Sequence, residues 1–114
     1  MHECPFCRII AGQSPARKVY EDDKIFAFED INPQAPVHIL VIPKKHFASL
    51  GELPASEAGL LGEMIIRARE IAREKRLEQS GYRLVLNTGA GAGQSVFHIH
   101  LHLLGGRRMG WPPG

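Results

Sequence analysis

His98-Ile99-His100-Leu101-His102-Leu103-Leu104 gathers three of the chain's six histidines into seven residues, each followed by an aliphatic side chain. Alternate side chains of a strand point to the same face, with ~6.6–6.8 Å of rise between i and i+2. A strand over Val96–Leu104 therefore lines one face with His98, His100 and His102 and sends Ile99, Leu101 and Leu103 into a core. Imidazole titrates near neutrality, so such a stripe can combine a nucleophile, a proton donor and a cation. On spacing alone, catalysis, a metal clip and a solvated sheet face all stay open. The helical H-E-x-x-H pattern of zinc proteases is absent.

Asn87-Thr88-Gly89-Ala90-Gly91-Ala92-Gly93-Gln94-Ser95 leads into this strand. Its glycines let backbone N–H groups approach an anion, although a plain hairpin connection has the same composition. It lacks the G-K-[ST] ending of a P-loop and enters a strand rather than a helix. Joined to the histidines, it suggests a phosphate held beside an imidazole.

Further out, Pro5–Ile10 reads as a short helix stopping near Gly12. Lys18–Glu21 and Ile25–Glu29 are β-prone runs joined by Asp22-Asp23-Lys24, a hairpin signal. Asn32-Pro33-Gln34-Ala35-Pro36 is a loop, and Val37–Ile42 a strand ended by Pro43. Ser56–Gln79 is the one long helix, with Leu60, Leu61, Met64, Ile65, Ala68, Ile71 and Ala72 as its apolar stripe and Gly81 as its stop. Ile66 falls on the charged side, a mild exception that suits a partner contact. Tyr82–Asn87 resumes strand character. Strands, a helix, then strands indicate α+β with an antiparallel sheet.

Composition narrows the class. The chain has 114 residues, 44% apolar and 23% charged, which suits one globular domain spanning 1–114. A domain of this size buries roughly 65% of its unfolded surface without disulfide staples. A net charge of +2 with no long basic run argues against nucleic-acid binding. Ile39-Leu40-Val41-Ile42 is the longest aliphatic run, far short of the ~20 residues of a membrane span. Met1-His2-Glu3-Cys4-Pro5 has no signal-peptide character, so a soluble cytoplasmic protein is expected, with His2 a disordered terminal residue. Cys4-Pro5-Phe6-Cys7 in such a protein reads as zinc ligation or redox chemistry, and a tetrahedral site needs two more ligands.

The histidine stretch resembles the H-φ-H-φ-H-φ-φ signature of the histidine-triad family of nucleotide hydrolases and transferases. Phe28-Glu29-Asp30-Ile31, Pro33-Gln34-Ala35-Pro36-Val37-His38, Val41-Ile42-Pro43-Lys44-Lys45-His46 and Gly93-Gln94-Ser95-Val96 are similar to that family too. The ending Gly105–Gly114, expected to be an extended tail, resembles the Hint branch, the histidine-triad nucleotide-binding proteins.

The resemblance implies a fold of about five antiparallel strands with one long helix and a short N-terminal helix, the sheet continuing across a homodimer. It implies hydrolysis of purine nucleoside 5′-phosphoramidates and related aminoacyl-adenylate-type compounds, conjugates of AMP or GMP, through a covalent nucleotidyl-histidine. His100 would be the nucleophile, its other ring nitrogen donating to a backbone carbonyl. His102 would bind a phosphate oxygen, with Gln94, Ser95 and Val96 completing the cradle, Ser95 helping to protonate the leaving amine and His38 orienting the triad. Asp30 would accept the ribose hydroxyls. Phe28, Ile31, Phe6 and Ile9 would form the slot for the base, with plain core as the alternative for such apolar residues. Asn87 and the loop to Gly93 would contact phosphate and leaving group, and Trp111 would reach the partner's site.

Family enzymes of this kind use no catalytic metal, but several carry a cysteine pair that binds structural zinc. That set maps onto Cys4, Cys7, His46 and His98. Two other readings stand beside the phosphoramidase: a dinucleoside-polyphosphate hydrolase or nucleotidyltransferase of the same superfamily, and a zinc-stabilised nucleotide- or partner-binding module with incidental hydrolysis. Gly110 departs from the branch, whose tails often carry His there, which bears on leaving-group preference.

Overall fold

A computed structural model describes residues 3–114; His2 lies outside them. The chain forms helix α1 (Pro5–Ile10), strands β1 (Lys18–Glu21), β2 (Ile25–Glu29) and β3 (Val37–Pro43), helix α2 (Ala58–Glu74), and strands β4 (Tyr82–Val85) and β5 (Leu101–Gly105). The sheet runs β1-β2-β3-β5-β4 with every neighbouring pair antiparallel. The expected α+β class and strand count both stand.

Asp22 closes the first hairpin. Its Oδ1 accepts from the backbone N–H of Lys24 and Ile25 at 2.8 Å each, and its Oδ2 accepts from the Tyr20 hydroxyl at 2.7 Å. The side chain thereby takes over donors that the tight turn leaves unpaired.

Strand alternation then divides the sheet into two faces. Ile25, Ala27, Ile39, Val41, Leu101 and Leu103 meet Leu60, Met64, Ala68, Ile71 and Ala72 of α2 in the main core. Met64 and Ile71 are each only 1% exposed, and burial of such side chains contributes ~1.5–3 kcal/mol apiece. On the other face Phe26, Phe28, Leu40 and Ile42 are covered by Phe6 of α1. The same face of β3 and β5 carries His38 and His102, directly beyond that second cluster.

Four expectations need correction. Residues 96–100 lie outside any strand, so β5 starts at Leu101 and runs through Gly105, which belongs to the sheet rather than the tail. The fourth strand ends at Val85 rather than Asn87. Helix α2 is shorter than 56–79 because Ala55–Glu57 forms a separate 3-10 turn and Arg76 adopts a positive φ of 59°. The Leu77 N–H then returns to the Ala72 carbonyl at 2.9 Å, ending the helix in a Schellman-type turn before Gly81 is reached. Leu77 tucks against Gly105, where a Cβ would sit 2.6 Å from its Cδ1. Finally, Ile65 is 43% exposed beside Ile66 at 47%; the buried stripe is narrower than the apolar pattern.

Candidate active site and metal centre

The three histidines of the motif fall into two different side-chain clusters. His98 turns away toward the N-terminal helix, while His100 and His102 stand together with ring centroids 5.0 Å apart. The break in the strand explains this, since two-residue alternation lapses before Leu101.

In the first centre, Cys4 Sγ and Cys7 Sγ lie 3.4 and 3.6 Å from His98 Nδ1, and Cys7 Sγ lies 3.3 Å from His46 Nδ1. The two Nδ1 atoms are 3.1 Å apart, and all four potential ligand atoms fall within 4.8 Å of one another. Tetrahedral zinc with Zn–S of ~2.3 Å and Zn–N of ~2.0–2.1 Å requires ligand separations of about 3.3–3.8 Å, close to these. His98 donates from Nε2 to the Pro43 carbonyl at 2.8 Å, so the neutral ring keeps its lone pair on Nδ1, aimed at the cluster centre. Burial pushes His98 down to about 4, with His46 and His100 adding to it against the Pro43 hydrogen bond. Burial and the neighbouring Cys4 push the Cys7 thiol up. A cation would draw off that thiol proton, and the donor set fits zinc.

In the second centre, hydrogen-bond direction fixes each ring. The Gln34 backbone N–H donates to His38 Nδ1 at 3.0 Å, so the proton of the neutral His38 ring sits on Nε2. His38 Nε2 lies 2.9 Å from His102 Nδ1 and donates to it. His102 must therefore carry its proton on Nε2. His100 donates from Nδ1 to the His98 carbonyl at 2.8 Å, which leaves Nε2 as its lone-pair nitrogen. The pair thus offers one basic nitrogen and one N–H donor side by side. Burial, helped by His100 and His38 and opposed by Asp30, pushes His102 down to about 4. Burial also lowers His38, again against Asp30.

Asp30 Oδ2 is 3.4 Å from His38 Nε2, so Asp30, His38 and His102 form a second compact group. It suits hydrogen bonding rather than a metal: a ring that accepts at Nδ1 from Gln34 while neutral has no lone pair left on Nε2.

Residues 11–109 match the family model described as HIT domain. This chain belongs to the HIT family. It is 52% identical to a HIT-like protein of Synechococcus elongatus over 96% of this chain and 95% of that one. It is 50% identical to the 14 kDa zinc-binding protein of Zea mays, covering 96% of this chain and 86% of the relative. Among solved structures, a HIT family hydrolase from Legionella pneumophila superposes with a TM-score of 0.96 at 53% identity, covering 98% of this chain and 100% of that one. A histidine triad nucleotide-binding protein from Candida albicans gives 0.83 at 34% identity, with 96% and 83% covered.

Around the HIT histidines, Phe6 packs edge-on against Phe28 at 5.4 Å and against His100 at 5.1 Å, with Ile9 and Val96 half-buried beside them. Ile31 does not join this cluster. It is 95% exposed and lines, with Asp30, Arg17 and Pro33, an open groove of about 560 Å³. Gln94 is 4% exposed, and its side-chain amide is fully engaged by backbone groups of its own loop and of the segment at Ala48. Its Oε1 accepts from Gly89 N–H at 2.8 Å, while Nε2 donates to the carbonyls of Ala48 at 2.7 Å and Val96 at 3.1 Å. Its backbone N–H also bonds Gly89 O at 3.1 Å, so this residue shapes the loop and has no amide proton turned outward. Gly93, at φ 91°, ends the 3-10 turn Ala90–Ala92 and leaves Ser95 exposed. Trp111 is 83% exposed.

Two residues escaped the sequence reading. Arg83 and Arg107 line a recess of about 220 Å³ with His38, His102 and Asn87. Each guanidinium donates to a backbone carbonyl, Arg83 to Gly110 at 2.8 Å and Arg107 to Gln34 at 2.8 Å. Strand alternation from Asn87 back through Val85 was the available signal for Arg83. A groove of about 610 Å³ lies elsewhere, and in it Lys24 pairs with Glu63 and Lys45 with Glu57. Among the described residues no helix is long and apolar enough to cross a membrane.

Proposed function

We propose that the chain hydrolyses purine nucleoside 5′-phosphoramidates, and related aminoacyl-adenylate-type compounds, to a nucleoside monophosphate. One observation carries the reading: His100 presents a lone pair at Nε2 while its Nδ1–H is held by the His98 carbonyl, beside an N–H of His102. Nε2 attacks the α-phosphorus and the P–N bond to the leaving amine breaks. The bonding pair stays on the amine nitrogen, which takes a proton from the Ser95 hydroxyl or a water. The His98 carbonyl stabilises the positive charge on the phosphorylated ring. His102 donates to a non-bridging oxygen, joined by backbone N–H groups at Ser95 and Val96. Water then attacks phosphorus, its proton restoring the Ser95 hydroxyl or passing to solvent, the N–P bond breaks with its pair returning to His100 Nε2, and AMP or GMP departs.

The slot beside Phe6, Ile9 and Phe28 would take the base, Asp30 the ribose hydroxyls, and Ile31 the open edge. Asn87 and the Gly89–Gly93 loop would face the leaving group. Cys4, Cys7, His46 and His98 would hold a structural zinc ion; the Zea mays relative is named as a zinc-binding protein. The ion would tie α1 to the histidine segment and take no part in the chemical step. A homodimer would extend the sheet past β4, an edge strand, and bring Trp111 to the partner's site.

The test is release of AMP from adenosine 5′-phosphoramidate in chelator-containing buffer by wild type and His100→Ala. Loss of roughly a thousand-fold or more with AMP affinity kept supports the nucleophile. Unchanged turnover rejects it. Arg83 and Arg107, which line the same recess as His102, favour a second reading, in which the leaving group is itself a phosphate, as in dinucleoside-polyphosphate hydrolysis or nucleotidyl transfer. Faster cleavage of diadenosine polyphosphate than of phosphoramidate selects it. Binding without cleavage of either leaves a zinc-stabilised binding module.

A further inference from the structure

Phe6 sits between the two cysteines of the metal centre in sequence and between the two centres in space. Its ring, 7% exposed, lies 5.9 Å from the His98 ring, 5.1 Å from His100 and 5.4 Å from Phe28. It therefore touches a metal-ligand candidate, the proposed nucleophile and the wall of the base slot at once.

Helix α1, which carries Phe6 and Ile9, has six residues. A helix of that length does not hold itself together in water. Its order rests on apolar packing and on its cysteine-bearing end. Cys4 caps the helix, Sγ accepting from the Cys7 N–H at 3.4 Å, and both thiols face His46 and His98 on other segments. A cation held there would pin α1 to the sheet through side chains flanking Phe6. His98 extends the same link, because its ring faces the cysteines while its carbonyl accepts from His100 Nδ1.

We infer that Phe6 is a positioning residue coupling the Cys4–Cys7–His46–His98 centre to the nucleotide slot, so that metal retention and purine-nucleotide affinity strengthen one another. This rests on the reading of that slot as a purine site. Linkage requires the effect to be reciprocal. With metal bound, α1 is already ordered, and a nucleotide laid against Phe6 need not order it. With nucleotide bound, the segment that must open for the metal to leave is held closed.

The experiment uses zinc-loaded protein. Zinc transfer to a chromophoric chelator is followed with and without saturating AMP, and AMP affinity is measured by calorimetry before and after zinc removal. We expect zinc removal to weaken AMP binding about tenfold, and AMP to slow zinc release from the loaded protein several-fold as the kinetic sign of that coupling. Should the stripped chain lose its fold, the release rate from loaded protein still decides. Phe6→Leu keeps an apolar floor but removes the ring between the histidines. At an AMP concentration that saturates it, this variant is expected to release zinc at one rate with or without nucleotide. Equal AMP affinities and equal release rates in wild type overturn the coupling while the purine site stands. Wild-type slowing retained by Phe6→Leu overturns the route through Phe6. Loaded protein that binds no AMP removes the nucleotide reading itself, and the coupling with it.

Discussion

His38 Nε2 lies 2.9 Å from Nδ1 of His102, and through this contact a backbone amide on the loop before β3 sets the proton position on β5. The Gln34 N–H fixes His38, and His38 fixes His102. Replacing His38 with Ala frees the His102 ring to carry its proton on the wrong nitrogen. Turnover of adenosine 5′-phosphoramidate is expected to fall by about 10- to 100-fold with little change in AMP affinity, since one transition-state donor is weakened rather than removed. A change confined to KM would contradict the tautomer relay.

Acid should destabilise the fold through the same buried rings. His98 and His102 are each pushed down to about 4 by burial, whereas the unfolded chain titrates them near 6.5. As pH falls below ~6.5 the unfolded state takes up protons that the native state refuses, so the contribution of these two rings is lost between ~6.5 and ~4 and levels off below. His98 contributes at most about 3 kcal/mol across that window, and His102, which solvent reaches and screens, contributes less. Urea midpoints of metal-free protein from pH 7 to pH 4 check the sign, and His102→Asn should make the slope shallower.

Gln94→Ala should destabilise the glycine loop. It removes an acceptor for Gly89 N–H and donors to the Ala48 and Val96 carbonyls. Leaving such partners unpaired costs ~1–3 kcal/mol for each that water does not reach. Chemical denaturation reads the loss. A variant as stable as wild type would show that the side chain is dispensable to the loop.

Zinc should stabilise the chain in proportion to its occupancy. At free zinc about a thousandfold above Kd the gain is ~4 kcal/mol, an increase in Tm of roughly 15 °C for a domain of this size. Cys7→Ser is expected to cancel most of the gain in a thermal melt with and without added zinc. An identical rise in variant and wild type would place the ion elsewhere.

Much of the fold was legible because the patterns that announce it are local. Asp22-Asp23-Lys24 marks the first hairpin, and Val37–Ile42 alternates into both cores as a central strand does. The end of α2 was misplaced because Arg76, not the glycine at 81, supplies the left-handed turn, an event decided by Leu77 packing against Gly105. Period-two reasoning put His98 with His100 and His102. Only the break before Leu101, where the ring is drawn toward Cys4, Cys7 and His46, separates them. The spacing of Cys4 and Cys7 left zinc ligation and redox chemistry both open, and the set with His46 and His98 came from the family resemblance, since chain separation carries no signal of spatial contact. The recess beside Arg107 depends on the tail folding back over Gln34, which no periodicity encodes.

The most direct test of a nucleophilic His100 is a single-turnover reaction with adenosine 5′-phosphoramidate, acid-quenched and read by intact-protein mass spectrometry. The geometry predicts a transient AMP adduct that maps to His100, decays as AMP appears, and is absent from His100→Ala. Hydrolysis at the wild-type rate by His100→Ala, or AMP binding by the wild type with neither adduct nor turnover near neutral pH, would contradict it.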